Sequence, residues 1–312
     1  MTARRAGRDA LIWAYEAETV EDINKRHINR VFLPGIPLDP AIEATSRLNE
    51  VANCDLLLMV TPSQATRSIA SELAQYVQGN QPLVICSKGF EQSTGKLLSE
   101  VLSEELPEAS LAVLSGPSFA PEIARGLPAA VTLAAKEEDR GAALSHALSH
   151  APFRCYWSED MTGVQIGGAV KNVYAIAAGI VMGKKLGSSA HAALVARGFA
   201  EMARFGTLLG AKRETLAGLS GLGDLVLTCG SPQSRNMSLG LALGEGRSLA
   251  EALKGRQSVT EGIYTAGAVV ELAAARGIDM PIASAVHEVV SGLATVDEAI
   301  GALLARPLRA ED

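Results

Sequence analysis

Lys171 stands within residues 163–182, G-V-Q-I-G-G-A-V-K-N-V-Y-A-I-A-A-G-I-V-M, a stretch that reads as a buried helix. At helical spacing its neighbours on the same face are Gly167 and Gly168 behind it, and Ala175, Ala178 and Gly179 ahead, with Gly163 two turns back. A long cation therefore lies in a groove of the smallest residues. Each glycine costs a helix roughly 1 kcal/mol relative to alanine, so several on one stripe imply that something approaches that stripe closely. A lysine aimed into a cleft can give a proton to an oxyanion as it forms. The same pattern also suits a helix packed tightly on a neighbour, its lysine reaching out to water. Spacing alone leaves both readings open.

Other polar groups recur at chain turns. Lys88 in S-K-G-F could reach a phosphate or carboxylate, and the G-P-S-F-A run from Gly116 offers backbone amides and the Ser118 hydroxyl. Asp224 is the one carboxylate in the glycine-rich apolar run G-L-G-D-L-V-L-T-C-G. A buried carboxylate needs a partner, and Lys171 is a candidate; a helix cap in a loop is the plainer alternative. Ser234, Arg235 and Asn236 precede a helix expected to run from Met237, whose free amides would form an anion site with them, or merely a solvated helix start. His146 and His150 have the four-residue spacing of a helical metal pair but no third ligand nearby, so no metal is expected.

These groups need elements to hold them. Apolar runs at residues 9–15, 42–45, 56–60, 82–86 and 111–114 read as strands, with helices at 16–27, 64–76 and 95–105 and a rigid loop at 32–38. Two further strands, 129–135 and 153–157, border a helix at 138–149. Unbroken apolar strands alternating with helices predict a parallel sheet covered on both faces, with ligands beyond the strands' carboxyl ends, where SKG and SGPS fall. After Ser158, expected to cap the central helix, the pattern is helical to the end, broken at 183–187, 218–223, 230–232 and 277–281. The expected fold is α/β: a Rossmann-like parallel sheet domain over 1–157, then an all-α domain over 158–312. A dinucleotide-binding sheet should open with a strand and G-x-G-x-x-G. The sequence contains neither; residues 2–8 read as the tail of a first helix feeding what would be the second strand.

Composition bounds the possibilities. The chain has 312 residues, 48 % of them hydrophobic, enough for two domains with sizeable cores. A net charge of −6 argues against a general nucleic-acid binder. Cys54, Cys86, Cys155 and Cys229 are scattered, as expected of reduced thiols in the cytoplasm. No apolar run is expected to reach the about 20 residues of a membrane span.

Taken together, H-I-N-R-V-F-L-P-G-I from His27, P-S-Q from Pro62, S-K-G-F from Ser87, S-G-P-S-F-A from Ser115, G-G-A-V-K-N-V from Gly167, G-L-G-D-L-V-L-T-C from Gly221, S-R-N from Ser234 and V-T-E-G from Val259 are specific by order and separation. With them the chain resembles, from about Arg4 onward, the bacterial-type NAD(P)-dependent glycerol-3-phosphate dehydrogenases. The resemblance implies reversible hydride transfer between NADH or NADPH and dihydroxyacetone phosphate, giving sn-glycerol 3-phosphate for glycerophospholipid synthesis. It implies Lys171 as the catalytic lysine; Lys88, Gly116, Ser118, Asp224, Ser234, Arg235 and Asn236 as substrate-binding residues; and Lys88, Ala120, Arg235, Val259 and Glu261 as cofactor-binding residues. The expected partners are a triose phosphate and a second copy of the chain, with no nucleic acid and no membrane insertion. The sequence departs from the family in lacking the first strand and glycine fingerprint, about eighteen residues by their usual offset. Tyr15 stands where the family commonly has an arginine, Phe32 where a tyrosine is usual, and Ser189 where an asparagine is usual. Two other readings stay open: a different lysine-using hydroxy-acid dehydrogenase of the same superfamily, and an inactive remnant that binds a phosphate metabolite or a partner.

Overall fold

The apolar runs become strands and the periodic segments helices, in two parts joined at the end of the last strand. The computed structural model describes residues 1–255 and 260–308. A short helix α1 (Thr2–Arg5) leads into β1 (Ala10–Trp13), which pairs in parallel with β4 (Ile42–Thr45). Between them α2 (Ala17–Glu21) continues as a wide helical turn to Arg26, and β2 (Ile28–Asn29) pairs antiparallel with β3 (Leu33–Pro37). The loop expected at 32–38 is thus a strand. Pro34, Gly35 and Pro37 disguise it, and they are tolerated because a two-stranded ribbon is all edge.

The main sheet has five strands in the order β5 (Leu57–Met59), β6 (Pro82–Ile85), β7 (Ser110–Ser115), β8 (Ala129–Ala135) and β9 (Phe153–Ser158). Helices α3 (Leu48–Val51), α4 (Thr66–Leu73) and α5 (Leu98–Glu105) join the first of these strands. The sheet is mixed, not parallel throughout: β8 runs antiparallel to β7, and β9 parallel to β8. The short helix α6 (Ala120–Arg125) turns the chain back at the end where β7 leaves, whereas a parallel return needs a longer crossover. Helix α7 (Glu138–Leu148) supplies that crossover between β8 and β9. Apolar cores fill both faces, Leu83, Ile85, Leu98 and Leu102 on one side and Val84, Ala112, Leu133 and Leu144 on the other. Among the described residues β1 pairs only with β4 and β5 only with β6, so the sheet is interrupted where a strand was expected to be missing.

The second part is helical: α8 (Met161–Gly183), α9 (Ser188–Leu208), α10 (Arg213–Ala217), α11 (Asp224–Gly230), α12 (Arg235–Gly244), α13 (Leu249–Leu253), α14 (Glu261–Ala274), α15 (Pro281–Val290) and α16 (Val296–Leu304). Its core surrounds α8, which is buried along nearly its whole length. By length and hydropathy α8 could cross a membrane, contrary to the expectation that no stretch could, but 89 % of its apolar window is buried inside the protein. Asp160, not Ser158, caps it: Asp160 Oδ1 accepts from Gly163 N at 2.8 Å, and Oδ2 accepts from Lys212 N at 2.8 Å. Ser158 Oγ instead accepts from Asp160 N at 3.1 Å. The break expected at 218–223 is a wide helical turn, Leu219–Gly223, running straight into α11.

The glycine stripe of α8 meets backbone. A β-carbon on Gly167 would lie 2.6 Å from Ser220 O, and one on Gly179 2.6 Å from Leu241 N. Gly240, facing them from α12, would put its β-carbon into Ile176 O, and Gly244 its own 2.5 Å from Ile180 O. Helices α8 and α12 therefore touch backbone to backbone, closer than any pair with side chains between them.

Candidate active site

Both parts send polar groups into one cavity of 3120 Å³. Small-molecule pockets seldom exceed about 1000 Å³. The excess arises because the cavity continues between β1 and β5, where Ile12, Leu58 and Val60 lie exposed. Its floor is the carboxyl ends of β5, β6 and β7, and its far wall is α8, α11 and α12.

Helix α8 carries Lys171 to that wall. Only 7 % of Lys171 is exposed, so it does not reach out to water as the alternative reading had it. Its Nζ donates to Asp224 Oδ1, and to Thr228 Oγ1 at 2.8 Å. Lys88, carried by the turn after β6, donates from Nζ to Asp224 Oδ2 at 2.7 Å and to the Gly116 carbonyl at 3.4 Å. Asp224, 1 % exposed, is thus a carboxylate held between two ammonium groups. Burial would raise its pKa, but Lys88 and Lys171 together hold it below the usual value. Lys171 moves far in the opposite direction to its usual state: burial, then the charge of Lys88, outweigh Asp224 and push its pKa down to about 7. The cluster has one positive charge in excess when both lysines are protonated. Lys171 is the member that can lose a proton near neutral pH.

Gly116 has a φ of 152°, and a β-carbon there would lie 2.8 Å from Val131 Cα, so only glycine lets the chain turn after β7. Its carbonyl accepts from Lys88 and also from Ser118 Oγ at 2.9 Å. Ser234 caps α12, its Oγ accepting from Met237 N at 3.2 Å, which aims the helix start at the cavity. Asn236 Nδ2 donates to Asn172 Oδ1 at 3.0 Å, and Asn236 Oδ1 accepts from Gly262 N at 3.0 Å. One side chain thereby ties α12 to α8 and α14.

Of the residues singled out by sequence, Lys88, Ser118, Ala120, Lys171, Ser234, Arg235, Asn236 and Glu261 line the cavity together. Gly116 and Asp224 stand just behind its surface and hold the lysines. Val259 lies outside the described residues. Glu261, the first residue of α14, is turned to the other part of the chain: its Oε1 accepts from Ser63 N at 3.0 Å, and its Oε2 accepts from Ser63 Oγ. Sequence reasoning gave no role to Asn172 or Thr228, which also line the cavity. Thr228 follows Asp224 by one helical turn and Asn172 adjoins Lys171, so both signals were there to read. His146 and His150 form no metal pair, because α7 ends at Leu148 and His150 stacks on Phe153. No cluster of metal-binding side chains occurs among the described residues.

The wall also suits a dinucleotide in part. Thr61 Oγ1 and Ser115 Oγ, at the ends of β5 and β7, are buried in it without a hydrogen-bond partner. Buried hydroxyls are normally satisfied, so these two are available to a ligand. No G-x-G-x-x-G occurs in the sequence, so a cradle of that type for the pyrophosphate is not supplied by the described residues.

Two family models cover most of the chain: the NAD-dependent glycerol-3-phosphate dehydrogenase N-terminus over residues 1–141, and the C-terminus of the same family over residues 160–301. A protein of Parvibaculum lavamentivorans named glycerol-3-phosphate dehydrogenase (NAD(P)+) is 57 % identical over 309 residues, covering 99 % of this chain and 93 % of its own. The protein of that name from Caulobacter vibrioides is 53 % identical, again over 99 % of this chain and 93 % of its own. Among solved structures, the glycerol-3-phosphate dehydrogenase of Coxiella burnetii is 38 % identical with a TM-score of 0.93, covering 98 % of this chain and 94 % of that one.

Proposed function

The chain belongs to the NAD-dependent glycerol-3-phosphate dehydrogenase family, and from that premise we propose how its residues divide the work of interconverting dihydroxyacetone phosphate and sn-glycerol 3-phosphate. It is an NAD(P)-dependent oxidoreductase with a Rossmann-like sheet and a helical second part. When bound, reduced nicotinamide would be the source of the hydride for the ketone carbon. The protein's own part is to hold the triose, place the ketone oxygen, and provide the proton.

Lys171 gives that proton to the ketone oxygen, and as a neutral amine takes it back in the reverse direction. Asp224 and Thr228 hold the ammonium in place. Lys88 adds positive charge where the oxygen becomes negative, and lowers the Lys171 pKa so that the transfer runs near neutrality. The start of α12, with Ser234, Arg235 and Asn236, takes the phosphate: helix amides and a guanidinium suit an anion. Gly116 and Ser118 border the triose from the sheet side, and Ala120, Arg235 and Glu261 border the nucleotide. Residues 1–157 serve the nucleotide and 158–312 the substrate. Free thiols and a net charge of −6 support a cytoplasmic setting. The family resemblance supports a homodimer, which sedimentation velocity would check.

One observation carries this reading: a buried lysine in the wall of a cavity, paired with a carboxylate that a second lysine shares. Its test is NADH or NADPH oxidation with dihydroxyacetone phosphate, followed at 340 nm as is general for nicotinamides. Lys171→Ala is expected to lower kcat by about a thousandfold or more while circular dichroism stays native. Near-normal turnover in that variant would refute the assignment.

A further inference from the structure

The end of β1 holds one acidic side chain that nothing in the fold neutralises. Glu16 stands three residues beyond the end of β1, just before α2, is exposed, and lines the cavity together with Tyr15, which is 84 % exposed. Among the described residues the Glu16 carboxylate makes no hydrogen bond and no ion pair. Its neighbours do. Glu18 pairs with Arg30 at 2.9 Å, Glu21 with Lys25 at 3.0 Å, Asp22 with both Arg26 and Arg30, and Glu50 with Arg47. Every cation on the α2 segment and on the turn after β4 is therefore already engaged by a carboxylate. An anion arriving at this end of the cavity meets a free negative charge and no cation that is not committed. A vicinal diol meets an acceptor. In dinucleotide-binding sheets a carboxylate at this strand end accepts from the adenosine ribose hydroxyls, whereas an arginine there accommodates a 2′-phosphate.

Building on the function proposed above, we propose that this chain selects NADH over NADPH, with Glu16 accepting hydrogen bonds from the adenosine 2′- and 3′-hydroxyls. The 2′-phosphate of NADPH would have to displace Arg47 from Glu50 or Arg30 from Asp22 to find a counter-charge, and would still sit beside Glu16. Tyr15 offers an exposed ring but no charge, so it does not restore the missing cation.

Binding and turnover test this separately. Titration calorimetry of the full chain with ADP-ribose and with 2′-phospho-ADP-ribose reads the adenosine end without any chemistry. ADP-ribose is expected to bind at least about tenfold more tightly, the usual scale for hydrogen bonds to a charged group. Glu16→Gln narrows that gap, and the double change Tyr15→Arg with Glu16→Ser reverses it. Both positions are exposed, and circular dichroism confirms that the variants fold. Equal or tighter binding of the 2′-phosphate analogue, or no binding of either, overturns the selectivity. Turnover of dihydroxyacetone phosphate with NADPH as good as with NADH overturns it too, yet leaves the dehydrogenase assignment intact. The reverse separation also holds: tight ADP-ribose binding with no turnover from either cofactor would count against the assigned reaction alone.

Discussion

Lys171 is unusual because its partner does not keep it charged. An isolated lysine–aspartate pair raises the lysine's pKa. Here burial and Lys88 prevail, and the pKa falls to about 7. The sign of the pH dependence follows. With Lys171 as the proposed proton donor, reduction of the ketone needs its ammonium form, so kcat/KM for dihydroxyacetone phosphate should hold steady below about pH 7 and fall about tenfold per unit above it. Oxidation of glycerol 3-phosphate needs the free amine, so its rate should climb through the same region and then level off. Profiles taken in both directions check this; parallel profiles would show that another group titrates. Because Lys88 is the second cause of the shift, Lys88→Met should move the Lys171 titration, read by NMR of the lysine side chain, to higher pH.

At the scale of elements, α8 and α12 are held by their glycines. Gly240→Ala puts a methyl group into the Ile176 carbonyl and should cost about 3 kcal/mol, the upper range for overpacking. Gly301→Ala is the matched control: that position in α16 has nothing within 4 Å, so alanine should stabilise by about 0.5–1 kcal/mol. Denaturant midpoints measure both, and a mild effect at Gly240 would mean that the helices can part. The glycine stripe on α8 was legible in the sequence, since period and residue size give a face directly. What it met was not, because Gly240 and Gly244 lie on another helix. The same divide runs through the other elements. Strand β8 was read to its exact limits, a plain apolar run between turns. Its antiparallel direction was missed, because direction depends on how far α6 carries the chain. Strand β3 was missed because its prolines are forbidden only in a sheet interior. The cap of α8 was placed two residues early, at Ser158, because the bond of Asp160 to Lys212 N joins segments far apart in sequence.

Over the whole molecule, stability carries its own titration. Glu201, on α9 and 3 % exposed, accepts from Ile282 N at 2.9 Å and Ala283 N at 3.3 Å at the start of α15, with Tyr174 and Arg204 nearby. Burial pushes its carboxyl up to about 7, the amides only partly offsetting it. Between the ordinary glutamate value and about pH 7 the native state keeps a proton that the unfolded chain releases. Stability should therefore decline with rising pH across that window, by about 3 kcal/mol in all. Glu201→Gln should flatten the slope, as thermal melts from pH 4 to 8 would show; an unchanged slope would place the titration elsewhere. The backbone contact between α8 and α12 bears on the reaction in another way. Lys171 rides on one helix and the proposed phosphate seat opens the other, so the span between them has no rotamers to absorb slack. With the proposed roles of Lys171 and the α12 start, the protein works as a fixed caliper, whose jaws are set by two main chains. A ketone one carbon farther from its phosphate would fail for want of length, however well its charges matched.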